Sequence, residues 1–211
     1  MTENFEHGYA LLIGVGNCEV SRLSLPVTVK DTQAIKEVLI DSNSCGYVKD
    51  NIRILNNGEA TKKGILDGLK WLKEEAENDS KATIFIFYSG HGGLKGDNYY
   101  LIPSDYNDKE DNPLATALSS EELTKALREI KAERLLVVID SCHAAGMATC
   151  KDEDITEAEE LLEKALQDLE RVAPSKNLIQ VLREGKGRAV FTSCEGEQKS
   201  WIKKDNSLSI Y

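Results

Sequence analysis

The chain lacks any apolar run approaching the roughly 18 residues of a membrane span. Its N-terminus, MTENFEHGYA, has neither the basic start nor the apolar core of a secretory signal. A membrane partner is therefore not expected, and a cytoplasmic location is. Cysteine is sparse and carries no pairing pattern: Cys18, Cys45, Cys142, Cys150 and Cys194 form an odd set of five without CxxC spacing. That argues against both a disulfide framework and a zinc site. Positive charge is short as well. With 26 Lys and Arg against 36 Asp and Glu, the formal net charge is −10, so nucleic acid is not an expected partner, because phosphate binding needs a basic surface. Acidity of this size is usually a solubility feature, and it is compatible with cationic substrates.

What is present suits one soluble domain over 1–211. The 211 residues, 41% hydrophobic and 29% charged, are enough to bury a sizeable core. Apolar runs at Tyr9–Gly16, Asn51–Asn57, Ala82–Gly90, Arg134–Asp140 and Gly187–Cys194 read as strands. The continuous apolarity of ATIFIFYSG predicts burial on both faces. Helical spacing marks Lys30–Ile40, a stretch after Thr61 as N-cap, and a helix through Ile130 opened by Ser119 or Ser120, with Glu122 or Glu121 near capping-box position. NYYLIPSD, Asn98–Asp105, reads as a short strand or hairpin arm. Alternating strands and helices imply βαβ crossovers and an α/β fold with a mainly parallel central sheet flanked by helices. The acidic stretch Lys151–Arg171 keeps a helical stripe and reads as a partly helical, exposed insertion within a linker over 151–186.

Ligands of open α/β sheets sit beyond the carboxyl ends of the strands, and three strands here lead to reactive groups. YSGHGG puts Ser89 and His91 at one tip, and DSCHAAG puts Asp140, Cys142 and His143 at another. VTVKDTQAI puts Asp31 at the start of a helix. Thiol hydrolysis needs a thiolate, a nearby base and oxyanion donors. Cys142 can serve as nucleophile and His91 as base, with the N–H groups of Gly92 and Cys142 as donors. Each piece alone has an ordinary reading: a structural cysteine, a histidine in a glycine turn, a carboxylate favoured by a helix dipole. His143, next to the thiol in sequence, is the weaker candidate for the base.

The pair YSGHGG and DSCHAAG, with His91 51 positions before Cys142, resembles the caspase-like clan of cysteine peptidases (clan CD, family C14). Asp-Ser-Cys-His in place of the caspase Gln-Ala-Cys is similar to metacaspases and orthocaspases. That resemblance implies a caspase-hemoglobinase fold and a cysteine endopeptidase cleaving after Arg or Lys. It assigns His91 and Cys142 as the dyad and Gly92 to the oxyanion hole. Asp31, Ser89 and Asp140 become an acidic S1 pocket. FTSCEGEQKSW, by the same match, puts Cys194 near the pocket entrance and Ser200 and Trp201 along the substrate groove.

The family also frames two departures. Many metacaspases use calcium, whereas this chain follows SGHGG with a short loop and then Asp105, Asp108, Glu110 and Asp111, so no cofactor is expected and calcium stays an option. NSLSIY stops where family members continue into the last elements of the small subunit. The division this implies is a large-subunit part over 1–150, the acidic linker with Lys and Arg residues suited to autoprocessing, and the start of a small-subunit part over 187–211. The expected partner is a protein or peptide substrate with Arg or Lys at P1, with a C-terminal subunit or regulatory domain as a further one. Two alternatives remain open at this level: a self-inhibited or non-catalytic module binding a partner through the same cleft, and a separase-like effector peptidase within a larger protein.

Overall fold

In β1 (Gly8–Gly14) every residue but one is buried, and successive side chains enter different cores. Ala10 and Leu12 pack with Leu39 of α1 (Val27–Ile40). Leu11 and Ile13 pack with Ile65, Leu69 and Leu72 of α2 (Lys62–Asn78). Strand pleating, which turns alternate side chains to opposite faces, places one helix layer on each side of the sheet. Burying a Leu as completely as Leu11, Leu12 and Leu72 (0% exposed) contributes about 1.5–3 kcal/mol each.

The computed structural model describes residues 4–141, 174, 176–193, 201–202 and 209–210. Within these residues β1 is joined by β2 (Ile52–Asn56), β3 (Thr83–Ser89), β7 (Arg134–Asp140) and β8 (Arg188–Thr192). They form one parallel sheet in the order β2-β1-β3-β7-β8. α1 connects β1 to β2, and α2 returns from β2 to β3 on the other face. α3 (Ser120–Glu129) and α4 (Lys176–Leu182) share the α2 face. A separate antiparallel sheet, β4 (Gly92–Lys95), β5 (Asn98–Leu101) and β6 (Leu118–Ser119), stands at the tip of β3. β9 (Trp201–Ile202) pairs with β10 (Ser209–Ile210), which lies beside α1.

Local chemistry fixes the helix starts. The Thr61 hydroxyl accepts the Gly64 N–H at 2.9 Å. Ser119 and Glu122 form a reciprocal capping box at α3. Lys62 Nζ lies 2.9 Å from Glu122 Oε1. Burial raises the Glu122 pKa, but the Lys62 and Ser119 contacts outweigh it and hold the carboxyl below its ordinary value. A depressed folded pKa makes a contribution that is present above the unfolded value and lost as pH falls through the folded one. Urea unfolding midpoints should therefore drop on acidification below about pH 4.5. Glu122→Gln should lower the midpoint at neutral pH and flatten that acid slope; an unchanged slope would contradict this linkage.

Two sequence expectations shift. α1 begins at Val27, directly after Pro26, and not at Lys30. Buried Val27 and Thr28 belong to its first turn, so Asp31 sits one turn inside the helix instead of at its start. The glycines after His91 form β4, the first arm of a hairpin, where the sequence suggested only a turn. The acidic stretch Lys151–Arg171 lies outside the described residues.

Candidate active site

The carboxyl ends of the strands form a register row. Gly14 on β1 is opposite Ser89 on β3, and Ser89 is opposite Asp140 on β7. Connections leave β1 toward β2 and leave β3 toward β7, so the strand order reverses between β1 and β3, the position at which open α/β sheets bind ligands. In a parallel ladder, register partners point to one face. For this row it is the α1 face, the one holding Phe87 and Val138 two residues earlier. There the Ser89 hydroxyl donates to Asp31 Oδ2 at 3.4 Å. Asp31 is 4% exposed, and Ser89 and Asp140 are 0% exposed. Carboxylates buried this deeply are rare unless paired.

The neighbouring residues, one step along each strand, serve the opposite face. The Tyr88 hydroxyl donates toward two carbonyls, His91 O at 2.8 Å and Ile102 O at 2.9 Å. Burial pushes the Tyr88 phenol far up, so it remains a donor at physiological pH. The Ile102 N–H also donates to His91 O, at 3.0 Å, and the Gly90 N–H donates to Asp140 O at 3.1 Å. The backbone on both sides of the His91 ring is thereby tied, on one side to the hairpin and on the other to β7. His91 itself is 6% exposed.

Gly92 has no room for a side chain. A Cβ there would lie 2.4 Å from the Tyr99 hydroxyl and 3.1 Å from Ser141 Cβ. The Tyr99 and Ser141 hydroxyls are themselves 2.7 Å apart. The Gly92 backbone therefore packs directly against the side chains of Tyr99 and of Ser141, the residue before Cys142.

His91, Gly92, Asp31, Ser89 and Asp140 thus gather around the tips of β3 and β7. Cys142, His143, Cys194 and Ser200 lie outside the described residues. Trp201 opens β9, and its side chain is outside them too. Tyr88, Tyr99 and Ser141 were not among the sequence candidates. The available signal was chemical: a Tyr inside a buried aliphatic strand needs a partner for its hydroxyl.

Other groups are engaged elsewhere. Burial pushes the Cys18 thiol up, and it donates to Pro103 O at 3.5 Å, the behaviour of a structural cysteine. Asp105 accepts the Lys62 N–H at 2.8 Å, Asp108 pairs with Arg22, and Glu110 accepts from Asn107 at 3.3 Å. Among the described residues no group of three or more His, Cys, Asp or Glu converges as metal ligands would. Among the same residues no helix is long and apolar enough to cross a membrane. A broad groove between α2 and α3 is lined by Lys73, Arg128 and Glu129, with the Lys73–Glu129 ion pair on its wall.

The family model "Peptidase_C14: Caspase domain" matches residues 7–211. None of the curated proteins matches the sequence. A solved structure described as "structure of pro-sf-caspase-1" is 16% identical, with 67% of this chain and 53% of that chain covered and a TM-score of 0.41. This chain therefore spans about half the length of that protein.

Proposed function

Because the chain belongs to the caspase-domain family and has a caspase-like fold, we propose that it is a cysteine endopeptidase in which a Cys142–His91 dyad cleaves after Arg or Lys. One observation carries the P1 preference: two buried carboxylates share the α1 face, Asp31 bonded to the Ser89 hydroxyl and Asp140 the register partner of Ser89. Two buried like charges repel, and a cation between them relieves that repulsion. Arg adds bidentate geometry. An aspartate at P1 would add a third negative charge.

The chemistry follows from the residues at the tips. His91 takes the Cys142 proton, and the thiolate attacks the P1 carbonyl carbon. The N–H groups of Gly92 and Cys142 stabilise the oxyanion. Protonated His91 returns its proton to the leaving amine as the C–N bond breaks. Water, deprotonated by His91, then hydrolyses the thioester and restores the thiol. The Lys and Arg residues of 151–186, with Arg183 and Lys186 exposed, offer P1 side chains for autoprocessing by the same site.

Fluorogenic peptides ending in Arg, Lys, Leu and Asp test the reading. Arg and Lys peptides should be cleaved and the Asp peptide spared. An Arg chloromethylketone should label Cys142, as mass spectrometry of the treated protein would detect. Cleavage confined to the Asp peptide would overturn the pocket assignment.

A further inference from the structure

Three elements meet at one point beside the candidate oxyanion hole. Tyr99, on the return arm of the hairpin, is 3% exposed, as is Ser141, which directly follows β7. Their hydroxyls are 2.7 Å apart, and Gly92, on the outgoing arm, leaves no space above the Tyr99 oxygen. Tyr99 pairs with Leu94 in the hairpin ladder, which fixes its backbone, and its side chain is enclosed. That hairpin also carries His91, whose carbonyl is held by Ile102 and Tyr88. One hydrogen bond therefore couples the element carrying the base to the residue preceding the nucleophile.

We propose that Tyr99 is a positioning residue whose hydroxyl, through Ser141, sets the hairpin bearing His91 and Gly92 against the strand tip that leads into Cys142. The inference rests on the dyad reading given above. It assigns the hydroxyl no proton transfer and no contact with substrate. Removing the bond leaves the hairpin ladder, the Tyr88 clamp and the Gly90–Asp140 bond intact but loosens the Gly92 end of the hairpin against Ser141. A displacement on the order of 1 Å at such a site lowers turnover by about 100-fold.

Tyr99→Phe, Ser141→Ala and the double variant of the full chain test this with two readouts. The first is kcat and KM on an Arg-ending peptide. The second is the pH midpoint of Cys142 alkylation by iodoacetamide, followed by mass spectrometry, which reports thiolate formation without requiring peptidase turnover. Tyr99→Phe should lower kcat by about 10- to 100-fold with KM nearly unchanged, and should raise the alkylation midpoint. Ser141→Ala should do the same, and the double variant should be no worse than either single one, because all three remove one bond. A purely structural tyrosine would lower thermal stability alone. Tyr99→Phe with kcat and alkylation midpoint both at wild-type values overturns the proposal, as do single-variant losses that multiply in the double. A wild-type chain that cleaves no peptide, yet shows a midpoint displaced in Tyr99→Phe, would remove the peptidase reading and leave the positioning role standing.

Discussion

Cys142→Ala is expected to abolish cleavage of an Arg-ending peptide, and His91→Ala to lower kcat/KM by about 10²- to 10⁴-fold. The two losses should not multiply. Nucleophile and base act as a unit, so the double variant should be close to the worse single one. The His91 substitution is informative because the residue is fixed through its backbone. Tyr88 and Ile102 bond its carbonyl, and neither contact involves the imidazole. Truncating the ring should therefore leave the hairpin in place, which thermal unfolding and circular dichroism would verify as a transition near that of the wild type. Peptide cleavage persisting in Cys142→Ala would sink the nucleophile assignment. Activity persisting in His91→Ala but lost when His143 is replaced would transfer the base to the neighbouring histidine.

Asp31→Asn should change which substrates are cleaved more than how stable the protein is. Asparagine is nearly isosteric, and its amide oxygen can still accept the Ser89 hydroxyl that reaches Oδ2 at 3.4 Å. What it removes is a negative charge at a position 4% exposed. Losing one partner of a buried charge pair costs about 3–5 kcal/mol. On Arg and Lys peptides that corresponds to a fall in kcat/KM of about 150- to 4,000-fold. Peptides with an uncharged P1 residue have no such pair to lose and should change little. Equal losses on Arg and Leu peptides would mean that Asp31 supports the fold of α1 and does not read the substrate.

The central strands β1, β3 and β7 were legible in the sequence because a strand covered on both faces must be apolar almost throughout. LLIG, TIFIFY and LLVVI cannot be satisfied in any less buried position. Ser89 and Asp140 were legible for the converse reason, as polar groups ending buried strands, whereas Asp31, one turn inside α1, was singled out through the family resemblance. The β4 arm was not, because Gly92 and Gly93 have no side chains to alternate and pair only through backbone bonds with Leu101 and Tyr100. The early start of α1 was hidden by Pro26, which reads as loop in sequence but sits at the N-cap here. Tyr88 and Tyr99 looked like ordinary core residues. Their roles depend on partners at Ile102 and Ser141, which only the tertiary fold brings near.

The pleat at the end of β7 has an evolutionary reading. Asp140 and Ser141 are consecutive yet belong to opposite sides of the sheet, one beside the residues proposed to read charge and the other against the hairpin that holds the proposed base. A lineage could exchange Asp140, Asp31 and Ser89 to accept a different P1 side chain without disturbing the Tyr99–Ser141 bond. It could equally retune turnover through Tyr99 without altering preference. If both proposals hold, preference and turnover become separable traits, divided by a single peptide unit.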